Sequence, residues 1–408
     1  MTSAYDYLMA TACRPSFFMV HGSGSRVTDS RQVSYLDFTQ GRGVNSLGHC
    51  PPTVVNALIR QANTLIHAGS HFHYESTSSL AKELIECTCF DQAFFANSGT
   101  EAVESAIKLA RKWGKCRKGG AHEIVTFHGG FHGRTFGSMA ATNRTSWAEN
   151  YGPLPPGFVQ SRFNDIEALS KAINENTVAI LLELVQGEGG VISATSEFLR
   201  AARTLCDDNG LLLIVDEVQT GMGRLGTLFG YELFGIEPDI IAIGKGLGGG
   251  LPISAILAKQ QACVFENGDH GGTFNGGPLV TAAAYAVLRT VASQEFLEQV
   301  QQTGAYLGVQ LGRLSVSLGL GDESGVGLLR RLDCGDQEAT EIVQYARDGL
   351  PFSGLARWNK RGILLNAPKP NCLRFLPALT VSQPEIDEMV DGLRHSILAI
   401  RTQEHRQK

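Results

Sequence analysis

The chain has 408 residues, 43% hydrophobic and 18% charged, a balance that suits a globular enzyme of two lobes with a sizeable core. A formal net charge of -5 argues against nucleic acid as a partner, and no Lys/Arg block is present to bind an anionic membrane. No run of 18 apolar residues offers a membrane helix, and the start MTSAYDYLMATACRPSFF lacks the basic flank and apolar core of a signal peptide, so a cytoplasmic protein is expected.

From the amino end, residues 27–41 alternate apolar and polar positions about a turn and read as β-structure. Pro51-Pro52 opens an amphipathic helix with Val54, Val55, Leu58, Ile59 and Ala62 on its apolar side, and a second helix is predicted over 78–87. A short apolar piece, 93–96, leads into Asn97-Ser98-Gly99-Thr100-Glu101. Ser98 and Glu101 have capping-box spacing, and Ala102, Ala106, Leu109, Ala110 and Trp113 form the stripe of a long helix. Free amides at such a start, with hydroxyls at Ser98 and Thr100 and a glycine between, make a phosphate seat. An ordinary capped helix has the same pattern.

Alternation then sets in. Residues 123–127, 178–185 and 211–215 are predicted strands and 198–209 the helix between the last two, which implies a parallel sheet with right-handed crossovers. Phe131-His132-Gly133-Arg134-Thr135, between the first two strands, is too polar for a core element. A Gly-rich loop at 271–278 precedes an Ala-rich helix over 280–293, and 315–327 reads as a turn region. Strands at 362–365 and 373–376 and a helix from Pro384 complete a smaller lobe assembled from both chain ends. The expected division is 1–45 and 290–408 for the small domain and 46–289 for the large one.

Two of these strands end in charge. The run at 211–215 stops at Asp216 and Glu217, and the apolar run at 240–243 ends in Gly244-Lys245-Gly246. Open α/β sheets hold their ligands at such carboxyl ends. The pair fits a structural ion pair, or a pyridoxal phosphate site in which the amine forms a Schiff base and the acid partners the ring nitrogen. Spacing alone leaves both open. The GxGxxG match from Gly221 to Gly226 begins five residues after Asp216 rather than at the strand end, so a dinucleotide site is not expected. His71 and His73 lack acidic or cysteine companions at metal spacing, and the nine cysteines, without CxxC pairs, read as reduced thiols.

The segments FFANSGTEAVESAIKLARKWG, FHGRT, ELVQGEGGV, LLIVDEVQTGMGRLG, IGKGLGGGLP, GGTFNGGPL and LRFLPAL occur in the order found in class III pyridoxal-phosphate aminotransferases. The chain resembles their acetylornithine aminotransferase branch over nearly its whole length. That resemblance implies a fold-type I α/β architecture, a pyridoxal 5′-phosphate cofactor, a homodimer, and transfer of an ω-amino group from an N-acylornithine-like donor to 2-oxoglutarate. It implies Lys245 as the Schiff-base lysine, Asp216 at the ring nitrogen, Gln219 near the phenolic oxygen and Phe131 stacked on the ring. Ser98, Gly99 and Thr100 fall at the phosphate, and Thr273 matches a phosphate ligand contributed by the other subunit. Arg134 and Arg374 match two carboxylate-binding arginines, and Glu188 an acid that pairs with the second when no α-carboxylate is there. Departures fall at Leu184, at the 274–278 loop, at 70–75 and at Arg42, which stands where resembling enzymes carry an apolar or aromatic residue facing substrate. Arg42 is therefore expected to read an anionic group on the donor.

Overall fold

The apolar runs close into one seven-stranded sheet, in a computed structural model that describes residues 7–348 and 361–407. Across the sheet the order is Gln92–Ala96, Ser254–Ala258, Ile240–Ile243, Leu212–Asp216, Thr177–Leu182, Glu123–Phe127 and Phe158–Ser161. Leu212–Asp216 lies at the centre, parallel to both neighbours, and Ser254–Ala258 is antiparallel to the strands on either side of it. Every residue of Thr177–Leu182 and Leu212–Asp216 is buried, as in sheets covered on both faces. Phe158–Ser161 and Ser254–Ala258 escape the sequence reading because each is short and mixes a few strand-forming residues with small or polar ones, too few to set up a recognisable run or alternation.

Several predicted bounds move. The strand expected over 178–185 ends at Leu182, and Val185–Gln186 pairs instead with Ile192–Ser193 in a separate ribbon. The chain leaves the sheet at Glu183 and so delivers that carboxyl into the crevice beyond the strand ends. The turn expected over 315–327 is partly helix and strand. Gln294–Leu318 is one helix closed by Gly319 in the left-handed region, and Glu323–Val326 follows as a strand. The helix predicted over 78–87 starts earlier, at Glu75, and the Ala-rich helix runs Pro278–Val291 with proline in its first turn.

Both chain ends meet in one sheet, where Arg361–Leu364 runs parallel to Ser34–Asp37 with Ile363 opposite Leu36. A further sheet orders Glu323–Val326, Leu329–Asp333, Cys372–Phe375 and Asn366–Lys369, and its fully buried strand Cys372–Phe375 carries Arg374. The GxGxxG segment is a packing turn. Buried Arg224 donates to the carbonyls of Leu328 and Pro377, and a Cβ on Gly223 would press on Val291 and Leu379. Among the described residues no helix is long and apolar enough to cross a membrane. Residues 1–6, 349–360 and 408, within the expected small-domain spans, lie outside the described residues.

Candidate active site

Adjacent strand ends bring Asp216 and Lys245 to one cavity of about 230 Å³. Asp216 is the last residue of the central strand. Lys245 opens a single 3-10 turn, Lys245–Gly248, with φ of 40°. A left-handed lysine costs about 1–2 kcal/mol, the kind of strain that folded proteins keep at functional sites. Burial, then the nearby Arg374, depress its pKa to about 8, while Asp216, Glu188 and Glu183 pull the other way. In cofactor-free protein, acetylation of Lys245 by a small anhydride should therefore rise with pH and level off above about 8. An ordinary lysine is half-protonated at about 10.4. Peptide mass spectrometry across a pH series checks this, and a Lys245 midpoint near 10 would contradict the buried, Arg374-facing amine.

Two titratable cavity residues, His132 and Glu183, were assigned no role from the sequence. His132 is buried, and its Nδ1 donates to Asp216 Oδ2 at 2.9 Å. Burial disfavours its charged form, but the hydrogen bond to Asp216, its charge, and Glu183 beyond outweigh that and raise the pKa. Glu183 accepts from the Phe131 amide at 2.8 Å and is pushed up to about 7, mainly by burial, with His132 opposing. The signal available for both was position. His132 adjoins Phe131, and Glu183 follows a buried strand as Asp216 does.

The opposite wall is built around Arg374, which is 0% exposed. Its Nη2 meets Glu188 at 2.8 Å and Asn366 Oδ1 at 2.6 Å, its Nη1 donates to Gln219 Oε1 at 3.3 Å, and its Nε has no partner. Asn366 was not anticipated. Glu188 is only half-buried. Burial would raise its pKa, but Arg374, then Lys245 and Arg42, hold it below the usual carboxylate range.

At the third wall, the helix Gly99–Arg117 begins with the predicted capping box: Ser98 Oγ accepts from Glu101 N, and Glu101 Oε2 accepts from Ser98 N at 2.9 Å. Ser98 is committed to that cap and does not line the cavity, whereas Gly99 and Thr100 do. Their amides have no partner among the described residues. The Thr100 hydroxyl accepts from the amides of Arg134 and Thr135, and a Cβ on Gly133 would overlap it. Phe131 and Arg134 line the same cavity. Thr273 does not; it is exposed, on the 271–277 loop. Arg42 is exposed and lines no described cavity, but it lies in a left-handed turn in which Gln40, Gly41, Arg42 and Gly43 have φ of 45°, 62°, 66° and 81°. Asp37 Oδ1 holds that turn by accepting from the amides of Thr39 and Gln40, and Ser46 beyond it donates to the Gly246 carbonyl beside Lys245.

An amine, a carboxylate with a histidine behind it, an anion seat and a buried arginine thus share one crevice. Residues 8–397 match the family Aminotransferase class-III. Acetylornithine aminotransferase of Ralstonia nicotianae is 48% identical over 391 residues, covering 95% of this chain and 96% of that protein. The acetylornithine aminotransferase of Caldanaerobacter subterraneus is 45% identical over 98% of this chain and 100% of its own length. The crystal structure of N-acetylornithine aminotransferase from Stenotrophomonas maltophilia superposes with a TM-score of 0.82 at 32% identity, covering 98% and 99% of the two chains.

The chain belongs to the class-III aminotransferases.

It is accordingly a pyridoxal-phosphate-dependent transaminase of fold type I, acting on an amino donor and a keto acid. The residues present fit the cofactor. Two unpartnered helix-start amides and the narrow Gly133 loop suit its phosphate, Asp216 backed by His132 suits a protonated ring nitrogen, and the Lys245 amine suits its aldehyde.

Proposed function

We propose that this aminotransferase moves the ω-amino group of an N-acylornithine-type donor, N-acetylornithine or a close analogue, to 2-oxoglutarate, giving a semialdehyde and glutamate. The observation that carries this reading is the pair of fully buried Arg374 and half-buried Glu188 beside Lys245. One pocket must accept glutamate, with a carboxylate next to its amine, and a donor with none there. An arginine whose acid partner can turn toward solvent serves both. The names of relatives 45–48% identical over nearly the full length support the donor class.

When bound, pyridoxal phosphate supplies the aldehyde that captures the amine and the ring that accepts its electrons. The protein's part follows from its own groups. Lys245, with its pKa near 8, takes and returns the proton at the reacting carbon. Asp216 and His132 hold a proton at the ring nitrogen. Phe131 and Gln219 position the ring, while Gly99 and Thr100, with Ser98 capping their helix, hold the phosphate. Arg134 binds the donor's carboxylate and Arg374 that of glutamate. In this reading the active unit is a homodimer, Thr273 completes the partner's phosphate site, and 46–289 form the large domain with 1–45 and 290–408 as the small one.

The test is a donor panel with 2-oxoglutarate, read as glutamate formed. N-acetylornithine should exceed ornithine, 4-aminobutyrate and diaminobutyrate by at least about tenfold in kcat/KM, the ratio that one 1.4 kcal/mol contact provides. A larger value for one of those three assigns the enzyme to that donor instead. No turnover with any donor would leave a cofactor-binding protein without catalysis.

A further inference from the structure

A second cavity, of about 350 Å³, adjoins the active site and shares Glu188 with it as a wall. Apart from Glu188, the side chains that line it are mostly polar or basic, among them Arg144, Lys369, Asn143, Thr142 and Gln160. Glu188 is occupied by Arg374 at 2.8 Å. Arg144 and Lys369 form no ion pair and no side-chain hydrogen bond among the described residues. Two cations facing one cavity without a counter-ion raise its potential, an arrangement that favours an anion there.

Arg144 is exposed, and two aromatic rings lie against its guanidinium. The guanidinium lies 4.9 Å from the Trp147 ring centroid and 5.6 Å from that of Phe131, while Arg134, on the active-site side, lies 5.4 Å from the same Trp147 ring. Stacked guanidinium groups lose little freedom on binding a planar anion, and their fork matches a carboxylate. Trp147 thus joins the arginine of the first cavity to the arginine of the second. Lys369 also lines the cavity, at the end of the Asn366–Lys369 strand whose Asn366 holds Arg374.

We propose that this cavity is a carboxylate subsite for the remote end of the amino donor, so that the enzyme favours donors whose acyl group itself ends in a carboxylate. The inference rests on the N-acylornithine reading for its substrates, but not for its binding measurement. It assigns to Arg144 and Lys369 the recognition that the sequence had pointed to at Arg42, which lines neither cavity.

Two probe pairs test it on the holoenzyme: N-succinylornithine against N-acetylornithine for turnover, and N-succinylnorvaline against N-acetylnorvaline, which lack the transferable amine, for calorimetric affinity. Wild type should favour the succinyl member of each pair by about tenfold to a hundredfold, the range for a charge-assisted hydrogen bond. Arg144→Gln and Lys369→Gln should each reduce that ratio by about tenfold, and Arg42→Leu should leave it within about twofold. Lys369 is exposed at a strand end, so its variant keeps the test readable if Arg144→Gln disturbs the aromatic packing. A wild-type ratio near one in the binding pair, or a ratio lost in Arg42→Leu and kept in the other two, overturns the proposal. If neither ornithine derivative turns over but the norvaline pair still discriminates through Arg144 and Lys369, the donor reading fails while the subsite stands.

Discussion

Lys245→Ala should lower amino transfer by at least about 10⁴-fold, the upper end of what a positioned acid–base group supplies, because the same amine also captures the aldehyde. Folding should survive. The lysine lines a cavity and leaves no hole in packed apolar core when truncated. Its charge is disfavoured by burial and by Arg374, so removing it takes away an unfavourable group. The left-handed backbone costs an alanine about as much as it costs the lysine. The variant should therefore melt at or slightly above the wild-type temperature, and its phosphate seat at Gly99 and Thr100 should still retain cofactor. Single-turnover amino transfer and thermal unfolding measure the two halves of this expectation. A residual rate within about tenfold of wild type would mean that another group carries the proton.

Glu188→Ala should separate the two half-reactions. In the structure Arg374 is fully buried, with one acid partner, Glu188, and two neutral ones, Asn366 and Gln219. Breaking a buried ion pair costs about 3–5 kcal/mol, and here the two amide oxygens reduce that by remaining in place. A donor with no carboxylate beside its amine would meet an unneutralised arginine, and its half-reaction should slow by about tenfold to a hundredfold. Glutamate brings its own carboxylate to Arg374, so its half-reaction should hold its rate, and its KM should fall because Glu188 no longer competes. Single-turnover measurements of each half, run separately, test this. Equal losses in both would falsify the idea of an acid that stands in for the missing carboxylate.

The legible parts of this protein are those in which neighbours in sequence are also neighbours in space. The capping box of Ser98 and Glu101 needs residues three apart, and it forms as read. The buried strands 123–127 and 240–243 were bounded correctly because each is a short apolar run closed by charge or glycine. Pro51-Pro52 announced the helix Pro52–Thr64 because the ring fixes the backbone angle its first turn requires. The family resemblance rests on such local runs repeated in order along the chain.

What the sequence left undecided depends on distant segments meeting. The 178–185 run is apolar on both sides of Glu183, and which side belongs to the sheet is a tertiary matter: the sheet strand ends at Leu182, Val185–Gln186 pairs with Ile192–Ser193, and Glu183 between them lines the crevice. His132 and Asp216 are 84 residues apart, and nothing in either segment announces their hydrogen bond. Arg374 and Asn366 become partners because two strands pair in antiparallel register, with the two residues opposite each other. The second cavity is likewise tertiary: Arg144 and Lys369 come from segments more than two hundred residues apart and share a cavity only after the sheets have packed. Residue type and spacing determined which groups could do chemistry. Long-range pairing decided which of them face one another, because burial and charge are properties of a packed neighbourhood and not of a stretch of chain.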